Sequence, residues 1–243
     1  FEEVVEDLHW WKVHYELRYQ QLESLLQVEQ PSLLDIGCSF GYFLETGQEH
    51  GWRVLGVEPS AYAVRHARTL GVPVVHDFLT ASNAMNLEQV HTVHLDQVLE
   101  HLSNPREILQ TCNNLLLQGG ILCVTVPNDY SPLQYAATQE GYPSWWLAPP
   151  EHINYFDVQS LSKLVSSCHL EVVKTTSSFP MELFLLMGLD YTRDAGLGRR
   201  CHHMRVKLET ALLRHQPDLL AQLYESMQQL NIGREITLYA RKS

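Results

Sequence analysis

The residues able to do chemistry in this chain stand at the ends of short apolar runs. The first run, SLLDIGCSFGYFLE at 32–45, ends in Asp35 and turns through Gly37 and Gly41 before apolar residues resume. A glycine after a strand lets the backbone turn sharply and approach a ligand, because no β-carbon stands in the way. The turn opens a helix, whose first amides favour anionic groups. The run RVLGVEPS ends in Glu58, roughly 20 residues beyond the glycine turn, where a carboxylate on the neighbouring strand receives a ribose diol. HDF at 76–78 follows a third run with an acid and a ring, Asp77 and Phe78, suited to an adenine amine and face. HLDQVLEHLSNP at 94–105 follows a fourth. All four tips fall at the carboxyl edge of one sheet, where open α/β proteins bind ligands. The turn lacks the G-x-G-x-x-G spacing of a dinucleotide loop, which counts against a nicotinamide enzyme.

The elements that must hold these tips read as strands at 32–37, 53–58, 73–76, 92–96 and 120–127, with helices near 41–50, 60–70 and 105–117. Such alternation implies parallel β-α-β units and a doubly wound α/β sheet. Residues 2–28 have helical spacing through Trp11, Tyr15, Leu22, Leu25 and Leu26, and Pro31 ends that segment. After a proline- and aromatic-rich loop at 129–156 come a helix at 157–168, a strand at 170–178 and a last strand at 234–242. Between those strands, 201–214 and 217–230 read as helices. A structureless connection of that length is uncommon. The expected organisation is a helical segment at 1–30, a core of 31–178 with 233–243, and a helical insertion at 179–232.

Composition narrows the ligand. Of 243 residues, 45% are apolar and 19% charged, with a net charge of −11, which suits a globular core and argues against binding a phosphate backbone. Five cysteines are widely spaced with no C-x-x-C pair, so a reducing cytoplasm is expected rather than a disulfide framework. No apolar run reaches the roughly 18 residues that span a bilayer, and the acidic first residues are unlike a signal peptide.

The series LLDIGCSFGYF, GVEPS, VLEHLSNP and LLLQGGILCVTVPN resembles the class I S-adenosylmethionine-dependent methyltransferases of the small-molecule type, which act on ubiquinone precursors, sugars or natural products. The resemblance covers 32–178 and the final strand. It implies a Rossmann-like seven-stranded sheet of order 3-2-1-4-5-7-6 with strand seven antiparallel and the insertion before it. It also implies S-adenosyl-L-methionine as cofactor, with S-adenosyl-L-homocysteine as product. By position, Asp35, Gly37, Cys38 and Gly41 would wrap the methionine portion. Glu58 would hold the ribose with Pro59 alongside, Asp77 and Phe78 would address the adenine, and Asp96 and Gln97 would line the floor near the sulfonium. Ser39 replaces the middle glycine of the usual D-x-G-x-G-x-G turn.

Methyl transfer needs a positioned nucleophile and exclusion of water, and a base only where the methyl acceptor is a hydroxyl or an acidic carbon. Histidine suits that task near neutral pH. The resemblance places His101 and His152 beside the methyl acceptor, each as a base or as a backbone-bonded anchor, with Tyr155, Tyr130 and Asp129 nearby. Trp145 and Trp146 are either a stacking platform or a packing plug. The run CHHMR at 201–205 points its side chains in different directions on a helix, and no matched carboxylate set is found, so no metal is expected. The expected function is methylation of a small molecule, at a hydroxyl of a sugar, phenol or related metabolite. Carbon or nitrogen methylation, and a non-catalytic cofactor-binding subunit, are the alternatives. Neither nucleic acid nor membrane is an expected partner, and the insertion would form a lid or a homodimer surface.

Overall fold

The computed structural model describes residues 7–243; the first residues of the expected N-terminal helix lie outside them. Seven strands form one sheet: β1 (Ser32–Ile36), β2 (Arg53–Val57), β3 (Val74–Val75), β4 (Val90–Asp96), β5 (Leu116–Pro127), β6 (Leu170–Ser177) and β7 (Glu235–Lys242). Their order is 3-2-1-4-5-7-6. The first five are parallel, and β7 runs antiparallel to both β5 and β6. β1 is buried along its whole length, as a parallel strand covered on both faces must be. The sheet order is the one the resemblance implied.

Helices cover both faces. On one side lie α1 (Leu8–Leu26), α2 (Tyr42–Glu49) and α3 (Ala61–Thr69), packed on the sheet through Tyr19, Leu22, Leu33, Phe43 and Val64. After the four-residue α4 (Ala81–Ala84), α5 (Pro105–Leu115) and α7 (Val158–Ser166) cover the other side through Leu95, Leu109, Leu122, Val124 and Leu161. Loop 129–156, expected to be irregular, contains α6 (Pro132–Gln139). Ser131 and Gln134 cap each other's backbone amides there, and Pro132 opens the first turn. β5 begins before the expected residue 120 because its pairing with β4 slips between Val90 and Thr92.

The insertion folds as α8 (Glu182–Leu186), α9 (Ala195–His215) and α10 (Pro217–Gln229) around Phe184, Cys201, Leu220, Tyr224 and Met227. It leaves from the end of β6 and returns at Glu235, which pairs with Pro127 at the carboxyl end of β5. It therefore starts and finishes at the carboxyl edge of the sheet. Tyr142 donates to the Leu185 carbonyl at 2.9 Å, so the insertion lies against loop 129–156. Helix α1 runs along one face of the sheet between its amino and carboxyl ends. Arg241 Nη2, near the amino end of the sheet, donates to Leu25 O at 2.9 Å, while Arg18 reaches Asp96 at the carboxyl end of β4. Beyond Arg18, α1 meets α9 at the buried Glu209, which accepts from Trp10 Nε1 at 2.6 Å, Arg205 Nε at 3.1 Å and the Tyr224 hydroxyl. Among the described residues no helix is long and apolar enough to cross a membrane.

Candidate active site

The glycine turn is built on two left-handed residues, Gly37 at φ +74° and Gly41 at φ +82°. A β-carbon on Gly37 would stand 2.8 Å from Val98 Cγ2, and one on Gly41 2.8 Å from Ala67 Cβ. Both positions therefore need glycine for space as well as for conformation. Ser39 between them also adopts positive φ, +49°, at a cost of roughly 1–2 kcal/mol for an L-residue. Its amide donates to Glu58 Oε2 at 3.0 Å, and the amide of Ser60 donates to Glu58 Oε1 at 2.7 Å. Glu58 thus ties the glycine turn to the start of α3. Each carboxylate oxygen keeps a second lone pair, which leaves room for two ribose hydroxyls.

The neighbouring tips are tied in the same way. Pro59 O accepts from His76 Nε2 at 3.0 Å, joining the ends of β2 and β3. Asp77 accepts from the Phe78 amide at 2.8 Å and from Asn83 Nδ2 at 3.2 Å. The Phe78 ring is 68% exposed, open to a planar partner. Asp96 Oδ2 accepts from Arg18 Nη1 at 2.6 Å. Gln97, at φ +55°, donates to Glu235 Oε1 at 3.4 Å. Cys38 is buried, and that burial pushes its thiol up, so it packs rather than reacts. Asp35 is buried on the side of the sheet under α1 and α2, bonded to His94 Nδ1 at 2.6 Å. Burial raises its carboxyl, and His94 offsets part of the rise.

A second group stands at the ends of β4 and β5. His101 closes a single 3₁₀ turn, Leu99–His101, and its Nδ1 donates to the Glu151 carbonyl at 2.8 Å. The ring centroids of His101 and His152 are 4.9 Å apart. Burial and the neighbouring His101 lower the pKa of His152, so its ring is neutral at pH 7 and able to take a proton. Its Nδ1 is buried without a partner among the described residues. The Tyr155 hydroxyl accepts from the Ala148 amide at 3.3 Å, which anchors the loop. Glu100 is fully buried with neither carboxylate oxygen hydrogen-bonded among the described residues, the nearest basic partner being His101 Nε2 at 4.0 Å; burial raises it to about 7, with Asp96, Asp129 and Glu235 adding to the rise. Asp129 is raised by burial to about 6. Tyr130 is largely exposed, whereas Trp146 is buried against Trp145, which packs on Tyr191 of the insertion.

Glu100, His101 and His152 bring ligand atoms within 4.8 Å of one another. One carboxylate and two imidazoles form a donor set that could hold a divalent transition metal. The sequence pattern implies no metal, and these three residues come together only in the fold. In the CHHMR run, Cys201 is buried and His202 bonds Asp7 at 2.9 Å.

Three further residues at this edge escaped the sequence reading: Arg18, His94 and Glu100. A signal existed for the first two. Arg18 interrupts the apolar face of α1, three residues after Tyr15 and four before Leu22, and His94 and Asp96 share one face of β4 by the two-residue period. Glu100 had no signal beyond lying in the same motif as His101.

Residues 11–175 match a family described as a methyltransferase domain. The chain is 31% identical over 131 residues to the ubiquinone biosynthesis O-methyltransferase of Caulobacter vibrioides, covering 50% of this chain and 51% of that protein. It is 32% identical over 106 residues to the enzyme of that name from Glaesserella parasuis, covering 40% and 45%. The chain thus spans about half the length of these curated relatives. Among solved structures, an SAM-dependent methyltransferase from Archaeoglobus fulgidus superposes with a TM-score of 0.62 at 16% identity over 95% of this chain and 94% of that one. The plantazolicin methyltransferase BamL, solved with SAH, gives 0.59 at 15% identity over 99% and 87%. The [4+2]-cyclase SpnF gives 0.57 at 18% identity over 95% and 81%, a reminder that this fold hosts more than one reaction. Sheet order and family match agree: the chain belongs to the methyltransferase domain family, and its fold is the seven-stranded one of these solved neighbours.

Proposed function

We propose that this chain transfers a methyl group from S-adenosylmethionine to a hydroxyl of a small molecule. The observation that carries the reading is the ordered series of tips at one sheet edge, from the Gly37–Gly41 cradle through Glu58 and Asp77 to Asp96. Glu58 receives the ribose, Pro59 flanks the adenosine, and Asp77 and Phe78 take the adenine. Gly37, Cys38 and Gly41 wrap the methionine end beside Asp35, and the Arg18 guanidinium receives its carboxylate. Asp96 and Gln97 form the floor. When bound, the cofactor supplies an electrophilic methyl group on a sulfonium.

The rest of the work falls to positioning. His152, neutral and beside His101, orients the hydroxyl and takes its proton, while Tyr155 holds the loop that carries it. The names of the curated relatives favour oxygen as the methylated atom. The insertion, resting on loop 129–156, acts as a lid or as a dimer surface. A net charge of −11 disfavours nucleic acid as a partner, and five buried free cysteines suit a reducing cytoplasm. Incubation with methyl-labelled S-adenosylmethionine and a library of phenols, catechols and sugars tests the reading. Label in an O-methyl ether supports it. Label on nitrogen or carbon, or cofactor binding without turnover on any member, replaces it with the corresponding alternative.

A further inference from the structure

Among the described residues Arg18 makes two side-chain hydrogen bonds, both through one nitrogen, Nη1: to Asp96 Oδ2 at 2.6 Å and to His94 Nε2 at 3.0 Å. A guanidinium in a protein is always protonated and never accepts. His94 Nε2 must therefore be the acceptor, and a neutral imidazole that accepts at Nε2 carries its proton on Nδ1. That proton is donated to Asp35 Oδ1 at 2.6 Å. The tautomer follows from the two neighbours.

The row is held rigidly. Asp35 and His94 are both buried. The Phe43 ring stacks on His94 at 4.1 Å between centroids and lies 5.9 Å from the Arg18 guanidinium carbon. Phe43 belongs to the first turn of α2, directly after Gly41. Asp35 lies just before Gly37. The row thus starts beside the glycine turn at Asp35, is covered by Phe43 just after that turn, and ends at Arg18 on α1. Arg18 Nε and Nη2 have no hydrogen-bond partner among the described residues, and Arg18 lines a cavity of about 400 Å³ between α1, α10 and β7. The protein fixes one nitrogen of the fork and leaves the other two without a partner among the described residues; Gly37, Gly41 and Glu58 do not line this cavity. A planar fork of this kind is suited to a carboxylate.

We infer that Asp35 and His94 are positioning residues for Arg18, setting the guanidinium that receives the carboxylate of the cofactor's amino-acid end. The inference rests on the cofactor reading proposed above, and it gives Asp35 an indirect part in cofactor binding: it sets the tautomer of His94, and His94 sets the fork. Without the imidazole, Arg18 keeps only Asp96 and can swing about that single contact.

Calorimetry with two ligands tests this. S-adenosylhomocysteine carries the amino-acid end, and 5′-methylthioadenosine lacks it. His94→Phe is expected to weaken S-adenosylhomocysteine about tenfold to a hundredfold while leaving 5′-methylthioadenosine within about twofold. Asp35→Asn, which keeps the shape and removes the charge, is expected to give a smaller loss of the same selectivity and guards against misfolding of the phenylalanine variant. In an Arg18→Gln background, His94→Phe is expected to add no further loss. Equal losses for both ligands, unchanged S-adenosylhomocysteine affinity in a folded variant, or additive losses with Arg18→Gln would overturn the inference. A wild-type protein that binds neither ligand would instead remove the cofactor reading, and this inference with it.

Discussion

Replacing Glu58 by glutamine tests the ribose contact without changing the shape of the side chain. In the native protein each carboxylate oxygen takes one backbone amide, from Ser39 at 3.0 Å and from Ser60 at 2.7 Å. Glutamine keeps one oxygen and presents an NH₂ group to the other amide, so one part-buried N–H loses its charged acceptor. That loss costs about 1–3 kcal/mol of folding stability, or several degrees in Tm for a chain of this size. The lost charge acts on the ligand as well. A hydrogen bond from a ribose hydroxyl to a charged carboxylate is worth about 1.5–3 kcal/mol, which corresponds to a Kd weaker by about tenfold to a hundredfold. Calorimetry with S-adenosylhomocysteine, run beside thermal melts, separates the two effects. A lower Tm with unchanged Kd would mean that Glu58 only pins the glycine turn, and the ribose assignment would be wrong.

Other expectations follow from the same geometry. His152→Ala should lower turnover about 10²–10⁴-fold with cofactor affinity intact if the imidazole takes the proton; unchanged turnover per folded molecule would reduce it to a loop anchor. Glu100 has a folded-state pKa near 7, above its ordinary 4.5, so the folded state binds this proton more tightly than the unfolded chain. Its contribution to stability is therefore present below about pH 4.5 and lost as pH rises through about 7, an effect of about 3 kcal/mol. Glu100→Gln should flatten the fall in Tm over that window, and a parallel profile would refute the burial argument. Glu209 is the opposite case. Burial alone would raise it, but His14, Arg205 and Tyr224 together hold it at about 2, so its stabilisation is full above about pH 4.5 and lost as pH falls through about 2. Glu209→Gln should cost about 3 kcal/mol at neutral pH; a melt within 1 °C of wild type, roughly the scatter of the method, would show that α1 and α9 are held together by packing alone.

The strand-and-helix alternation was legible because each parallel strand is an apolar run and each helix a 3.6-residue stripe, patterns that survive without knowledge of the partners. The tips were legible for a related reason: Gly37, Gly41, Glu58 and Asp77 act from backbone positions fixed by where a strand ends. Register was not legible. The early start of β5 at Leu116 depends on a slip against β4, and no local signal records it. Helix α6 was announced by Ser131, Pro132 and Gln134, yet the prolines and aromatics around it read as a loop. Most hidden were contacts between distant residues. His94 meets Asp35 across 59 positions and Arg18 across 76. Glu100 and His152, on separate loops, come together only when β4 and β5 lie side by side.

A crystal structure of the protein with S-adenosylhomocysteine tests the central claim most directly. The account predicts one molecule across the carboxyl edge, its ribose hydroxyls on Glu58, its adenine beside Asp77 and Phe78, and its carboxylate on Arg18. A ligand seated elsewhere, or one whose ribose lies away from Glu58, would contradict it.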